Sequence, residues 1–215
     1  MHLMNKIDQL AQSRLYLCTD ARSDKGDLAE FLHAAYEGGV DIIQLRDKKL
    51  EARQEIRELE LLRDIARQHD KLFAVNDRAD VAAIVGADVF HAGQGDLTTE
   101  QAREIIGPDM LMGRSNNTIE QFQRSIADTG LNYAVIGPVW PTPTKPGRPA
   151  VGLDTVRAAS EVAGTKPWFA IGGIDQDRTP QVQHVGADRI VVVRAIADAA
   201  NPEEAARDLR RLLAK

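Results

Sequence analysis

The sequence predicts a (β/α)8 barrel, and three observations predict it. Short apolar runs alternate with helical patterns from one end of the 215-residue chain to the other. There are eight such runs, and several junctions repeat one signal, a glycine that ends a helix just before the next run. An open doubly wound sheet seldom needs eight units this short and regular, whereas eight strand–helix units close into a parallel barrel.

The elements follow in order. Residues 1–13, "MHLMNKIDQLAQS", read as a short helical extension ahead of the first run. The runs themselves are "RLYLCTD", "VDIIQLRDK", "KLFAVND", "DVFHAGQ", "MLMGRS", "NYAVIGPV", "PWFAIGGI" and "RIVVVRAI". Between them lie segments with apolar residues three and four apart, such as "LAEFLHAAYEGG", "ARQEIRELELLRDIARQ", "QAREIIG" and "VRAASEV". The junctions "GGVD", "GADV" and "GADR" each turn a helix into a strand. After the last run, "NPEEAARDLRRLLAK" carries a helix start: Asn201 can cap, Pro202 suits the first helical position, and Glu203 and Glu204 favour the dipole. The whole chain, 1–215, is expected to be one barrel domain, since no linker or low-complexity tract divides it.

Composition narrows the function. With 43% hydrophobic residues, a chain of this length can bury roughly 70% of its unfolded surface. A formal charge of -5 argues against a general binder of nucleic acid or membrane surfaces, so any anion site must be local. The single cysteine, Cys18, excludes a disulfide framework and reads as a buried strand residue. No apolar stretch approaches a membrane span and the N-terminus lacks a signal-peptide core, so a cytoplasmic protein is expected. Helix faces of a barrel can serve as subunit contacts, which leaves a homo-oligomer open without singling out a surface.

In a barrel the active site lies at the carboxyl ends of the strands, and here those ends are polar. In "QLRDK" strand alternation puts Gln44, Arg46 and Lys48 on one face, with Ile43 and Leu45 toward the helices. Two cations in a barrel mouth either meet an anion or pair with acids of that mouth. The third run ends in Asn76 and Asp77, and the fourth runs through Gln94 to Asp96. Two carboxylates on adjacent strands can share a magnesium ion, although Asp96 before "LTTEQ" can equally be a helix cap. Beside Arg46 and Lys48 the pair reads as a metal–diphosphate site. His91 reads as a barrel-lining or packed histidine.

The other side of the mouth offers a second anion site. The seventh run ends in Gly172–Gly173 and the eighth in Val193–Arg194, where many barrels hold a phosphate on backbone N–H groups. A tight structural turn is the alternative use of the glycine pair. By alternation Ile190, Val192 and Arg194 share a face, so the guanidinium either meets a phosphate or turns over the rim to Asp198. Bordering this site is "GPVWPTPTKPGRPAVG", residues 137–152, with five of the chain's nine prolines. A stiff loop of this length reads as functional, with Thr142 and Thr144 as hydroxyl donors and Lys145 as a charge. No activated serine, cysteine or acid–base pair stands between the two anion sites. That inventory suits an enzyme that positions two substrates and lets diphosphate leave.

Taken together, "QLRDK", "ND" at 76–77, "HAGQGD" at 91–96, "GRS" at 113–115, "GPVWPTPTK", "IGGI" and "VVVRAI" closely resemble the thiamine-phosphate synthase family, over about residues 14 to 212. That family joins a hydroxymethylpyrimidine diphosphate to a thiazole phosphate and releases pyrophosphate, using Mg2+. The resemblance implies that Gln44, Arg46, Lys48 and Asn76 hold the pyrimidine diphosphate and that Asp77 and Asp96 bind magnesium. It makes Ser115 and Lys145 further contacts to the diphosphate substrate, with Arg46, Lys48, Ser115 and Lys145 as the catalytic set. Thr142, Thr144, Gly173, Val193 and Arg194 are implied contacts to the thiazole phosphate. The implied chemistry is dissociative: pyrophosphate departs, the aminopyrimidine stabilises a methylene cation, and the thiazole nitrogen captures it. Two departures stand out. Arg194 replaces the commoner serine, and Asn116 and Asn117 follow Ser115 where the family often has alanine or threonine and then histidine. A related tautomerase branch uses a histidine in this region, so "SNNT" with both aspartates favours the synthase over a tautomerase-like relative or a non-catalytic sensor of thiamine intermediates.

Overall fold

A computed structural model describes residues 5–142 and 149–214. Helix α1 (Lys6–Gln12) comes first, followed by β1 (Leu15–Thr19), α2 (Leu28–Glu37), β2 (Ile42–Leu45), α3 (Ala52–Gln68) and β3 (Leu72–Asn76). The alternation continues through α4 (Ala79–Val85), β4 (Val89–Ala92), α5 (Thr99–Ile106), β5 (Leu111–Asn116), α6 (Ile119–Ala127) and β6 (Tyr133–Ile136). It ends with α7 (Gly152–Val162), β7 (Trp168–Ile171), α8 (Thr179–His184), β8 (Ile190–Val192), a single-turn α9 (Arg194–Ala197) and α10 (Pro202–Leu212). The strands form a closed parallel barrel in sequence order, β8 pairing back onto β1 with Tyr16 opposite Val191.

Alternation along each strand sorts the apolar residues into two layers. Leu17, Ile43, Leu45, Phe73, Val75, Phe90, Ile190 and Val192 face outward against the helices. Tyr16, Ile42, Leu72, Val89, Leu111, Tyr133, Phe169 and Val191 fill the barrel. Gly113 on β5 is required here, because a Cβ at that position would lie 2.1 Å from the Tyr133 ring. Helix α1, capped by the Asn5 side chain on the Asp8 amide, crosses the amino-terminal ends of the strands. It is tied by Lys6 to Asp88 before β4, by Gln9 to the Asp70 carbonyl before β3, and by Arg189 before β8 to the Ala11 carbonyl. Its one buried residue, Leu10, packs on the inner layer and closes the barrel floor.

The helix signals in the sequence have physical counterparts. Gly86 ends α4 in the left-handed conformation at φ 64°, which a side chain would strain. Asn201 caps α10 through the Glu204 amide, with Pro202 at the first helical position. Two expectations need correction. β2 stops at Leu45, so Lys48 lies beyond the strand, although the Arg46 amide still donates to the Thr19 carbonyl and extends the ladder by one bond. β8 stops at Val192: Val193 turns at ψ -87° and Arg194 opens α9. Moreover Ile190 and Val192 face the helices, so Arg194 does not reach the mouth as the next residue on an inward face.

Candidate active site

The carboxyl ends of the strands surround three contiguous cavities. The one between β5, β6, β7 and β8 encloses about 360 Å³ and is lined by Ser115, Asn117, Thr142, Gly173, Arg178 and Arg194 among others. A second, of about 610 Å³, lies between the ends of β1, β2 and β8. Beneath them a small recess reaches into the barrel past Gln44, Arg46, Asn76 and His91. Ser115 and Val193 line both the first cavity and the recess, and Arg46 lines the recess and the second cavity. The spaces therefore form one mouth with a shared floor.

That floor is a hydrogen-bonded chain of inward-facing residues. The Gln44 amide donates to Asn76 Oδ1 at 2.7 Å, and Gln44 Oε1 accepts from the Tyr16 hydroxyl at 2.6 Å. Tyr16 meets the Tyr133 hydroxyl at 3.3 Å. Tyr133 is 2.8 Å from His91 Nδ1, and His91 Nε2 is 2.8 Å from Ser115 Oγ. Burial pushes both phenols far above their ordinary range, so they remain neutral donors. His91 is thus the packed barrel histidine that the sequence suggested, and it also fixes the Ser115 hydroxyl. Tyr16 and Tyr133 were missed by sequence reading; their signal was an inward strand parity on a polar-tipped ring.

On the β2–β4 side, Lys48 Nζ lies 3.0 Å from Asp77 Oδ2. Lys48 thus pairs with an acid of its own mouth, whereas no ion pair joins Arg46 to an acid among the described residues. Asp77 adopts φ 62°, a strained value for a non-glycine residue. Its carboxyl and that of Asp96 perturb each other. Burial acts to raise Asp77, but the interaction with Asp96 and the charges of Lys48 and Arg46 outweigh it and hold Asp77 below the usual carboxylate range. Burial and then the proximity of Asp77 raise Asp96.

Asp96 is not the cap of α5. That role belongs to Thr98, whose hydroxyl accepts from the Gln101 amide in a reciprocal capping box. Asp96 Oδ2 instead accepts from the Gly93 amide at 2.6 Å. Two neighbouring carboxyl groups of this kind are a donor set that suits a hard cation. Among the described residues no group of three or more His, Cys, Asp or Glu side chains is gathered for a metal. A cation bound there would take the rest of its shell from water and phosphate oxygens, which is the habit of Mg2+.

On the β6–β8 side, Gly172 and Gly173 turn at φ 105° and 70°. The pair is structural as well as permissive: a Cβ on Gly172 would lie 2.5 Å from Pro138 Cα, and one on Gly173 would lie 2.9 Å from Trp140 Cβ. Arg194 is exposed on the rim, and its backbone carbonyl, not its guanidinium, meets Asp198 through the Asp198 amide at 3.1 Å. Asn116 and Asn117 act as stitches. Asn116 donates to the Arg114 and Val135 carbonyls, and Asn117 donates to the Gly137 carbonyl at 2.6 Å. Thr142 lines the first cavity, while Thr144 and Lys145 fall outside the described residues. Cys18 lies on β1 as expected but only half-buried, because its side chain borders the mouth.

Comparison with known proteins agrees with this geometry. A family model described as thiamine monophosphate synthase matches residues 15–196. The thiamine-phosphate synthase of Mycobacterium leprae is 56% identical over 213 residues, covering 94% of this chain and 91% of the relative. That of Thermobifida fusca is 55% identical, covering 95% and 94%. Among solved structures, the thiamine phosphate pyrophosphorylase of Pyrococcus furiosus superposes with a TM-score of 0.86 at 33% identity, over 98% of each chain. A 3-hexulose-6-phosphate synthase, 21% identical with a TM-score of 0.68, shares the barrel fold.

Proposed function

The chain belongs to the thiamine monophosphate synthase family, and from that premise we propose how its mouth joins a hydroxymethylpyrimidine diphosphate to a thiazole phosphate. The enzyme is a transferase that yields thiamine phosphate and pyrophosphate. One observation carries the proposed layout: the acid-and-cation corner at β2–β4 and the cavity at β5–β8 share a floor through Ser115 and the recess.

In this reading Arg46 and Lys48 hold the diphosphate, Gln44 and Asn76 orient the pyrimidine above the recess, and Ser115 stands between the substrates. Lys145 adds a cation from the proline-rich loop. The thiazole phosphate occupies the cavity between β5 and β8, against Thr142, Thr144, Gly173, Val193 and Arg194. Asp77 and Asp96 would hold Mg2+, which when bound neutralises charge on the leaving diphosphate. The chain's own residues supply the rest. Arg46 and Lys48 stabilise charge growing on the departing oxygens, while the amides and buried phenols of the floor stay uncharged beneath the pyrimidine. Departure of pyrophosphate breaks the carbon–oxygen bond, and the thiazole nitrogen then donates its lone pair to the freed methylene.

The test is incubation of the protein with both substrates and Mg2+, with thiamine phosphate and pyrophosphate measured together. Equimolar products that vanish on chelation are expected. A folded sample that binds both substrates without product would overturn the reading in favour of a sensor. Turnover undiminished by chelation would remove the metal from it. Among the described residues no helix is long and apolar enough to cross a membrane.

A further inference from the structure

We propose that Arg178 is the residue that makes the cavity between β5 and β8 selective for a phosphorylated thiazole, an inference that rests on the function proposed above. Arg178 stands just before α8 and lines that cavity. Its backbone amide is held by Asp175 Oδ1 at 3.0 Å, one guanidinium nitrogen donates to the Gly173 carbonyl at 2.7 Å, and its guanidinium carbon lies 5.0 Å from the centroid of the Trp140 ring. A Cβ on Gly173 would lie 3.2 Å from the same guanidinium nitrogen and 2.9 Å from Trp140 Cβ. Glycine turn, indole and guanidinium are therefore packed to contact, and the Trp140 amide adds a bond to the Gly172 carbonyl at 3.0 Å.

Arg178 keeps donors that several other packed arginines spend. Arg114 places its two terminal nitrogens on the Gly93 and Leu97 carbonyls, Arg103 gives its guanidinium to four carbonyls and the Asn132 side chain, and Arg22 is clasped by Asp27. Among the described residues Arg178 makes one side-chain hydrogen bond and no ion pair. Among those residues its Nε and second amino group make no hydrogen bond, while the Gly173 carbonyl and the Trp140 ring hold the guanidinium at the cavity wall. A fixed fork with spare donors is the arrangement that recognises phosphate through paired hydrogen bonds, and a prearranged one loses little freedom on binding. Asp175 and Asp198 line the same cavity and disfavour an anion, so the charge of a bound phosphate must be answered by Arg178 and Arg194. Arg178 also joins the turn after β7 to the start of the loop after β6, so the phosphate would be read where both meet.

Steady-state kinetics on Arg178→Met and Arg178→Lys test this. The Met variant should raise the thiazole-phosphate KM by about tenfold or more, the Lys variant should recover little of it, and the pyrimidine-diphosphate KM should stay within about twofold. Discrimination between the thiazole phosphate and its dephosphorylated alcohol should fall by the same factor. A purely structural role would raise both KM values together, or lower thermal stability while leaving phosphate discrimination intact, and either result overturns the proposal. Calorimetric titration of thiazole phosphate into both proteins reads the arginine without turnover, so it separates this inference from the proposed reaction. Weaker binding by Arg178→Met supports it even if no product forms; equal affinity, or no binding by the wild type, overturns it.

Discussion

Asp96 is held by the backbone of its own loop. Its Oδ2 accepts from the Gly93 amide, and its carboxyl is raised by burial and by the nearby Asp77, so the placement of the pair is built into that loop. Asp96→Asn keeps an oxygen that can still accept from Gly93 but loses the charge. Turnover at limiting Mg2+ is therefore expected to fall by about a hundredfold or more, with the thermal midpoint nearly unchanged. Titrating Mg2+ in the activity assay checks this, and near-normal activity would take Asp96 out of the metal site. The sequence singled this residue out as one of two carboxylates near the ends of adjacent runs, with a helix cap as the alternative that Thr98 removes. It could not expose Tyr16, Tyr133 or Arg178. Two tyrosines inside apolar runs look like any core aromatic, and an arginine within "DQDRTP" looks like any charge of a surface turn.

At the scale of the element, alternation was legible for as long as the ladder lasts. Seven of the eight apolar runs contain their strand, β5 runs one residue past its own to Asn116, and Gln44 faces inward where parity placed it. Parity fails at β8, because a four-residue helix such as α9 is too short to leave a period in the sequence. Helix α3 holds a conflict that periodicity also could not price. Glu55 sits buried in its first turn, and burial, only partly answered by Arg78 and worsened by Asp80, Asp77 and Asp47, raises its carboxyl. An acid raised in the folded state stabilises the fold most below its unfolded pKa, and that contribution is lost as pH rises through the folded value. At pH 7 the ionised group is therefore a burden. Glu55→Gln should raise the melting temperature at pH 7, and the difference from wild type should shrink as pH falls below about 4, where Glu55 becomes protonated in the folded and unfolded states alike. Paired thermal melts across that range measure it; a variant less stable at pH 7 would show that the charge of Glu55 is needed where it lies.

Across the whole molecule, the barrel separates what holds it together from what it does. The mouth gathers strain and buried charge: Asp77 at positive φ, two carboxyls that perturb each other, a cation facing the recess. The opposite end answers with apolar closure. Helix α1 lies across the starts of β3, β4 and β8, and Leu10, 2% exposed, packs against Tyr16, Ile42, Leu72 and the rest of the inner layer. Truncating it leaves a cavity under a layer that is pinned on all sides by strand pairing and cannot easily collapse. Leu10→Ala is expected to cost about 2–5 kcal/mol of unfolding free energy. Both substrate KM values should stay within about twofold, because conservation of geometry at the carboxyl face does not depend on the amino-terminal plug. Denaturant unfolding beside steady-state kinetics decides the matter. If the KM values rise in step with the loss of stability, the inner layer transmits its packing through Tyr16 and Tyr133 to the floor of the site, and the two ends of the barrel are coupled rather than independent.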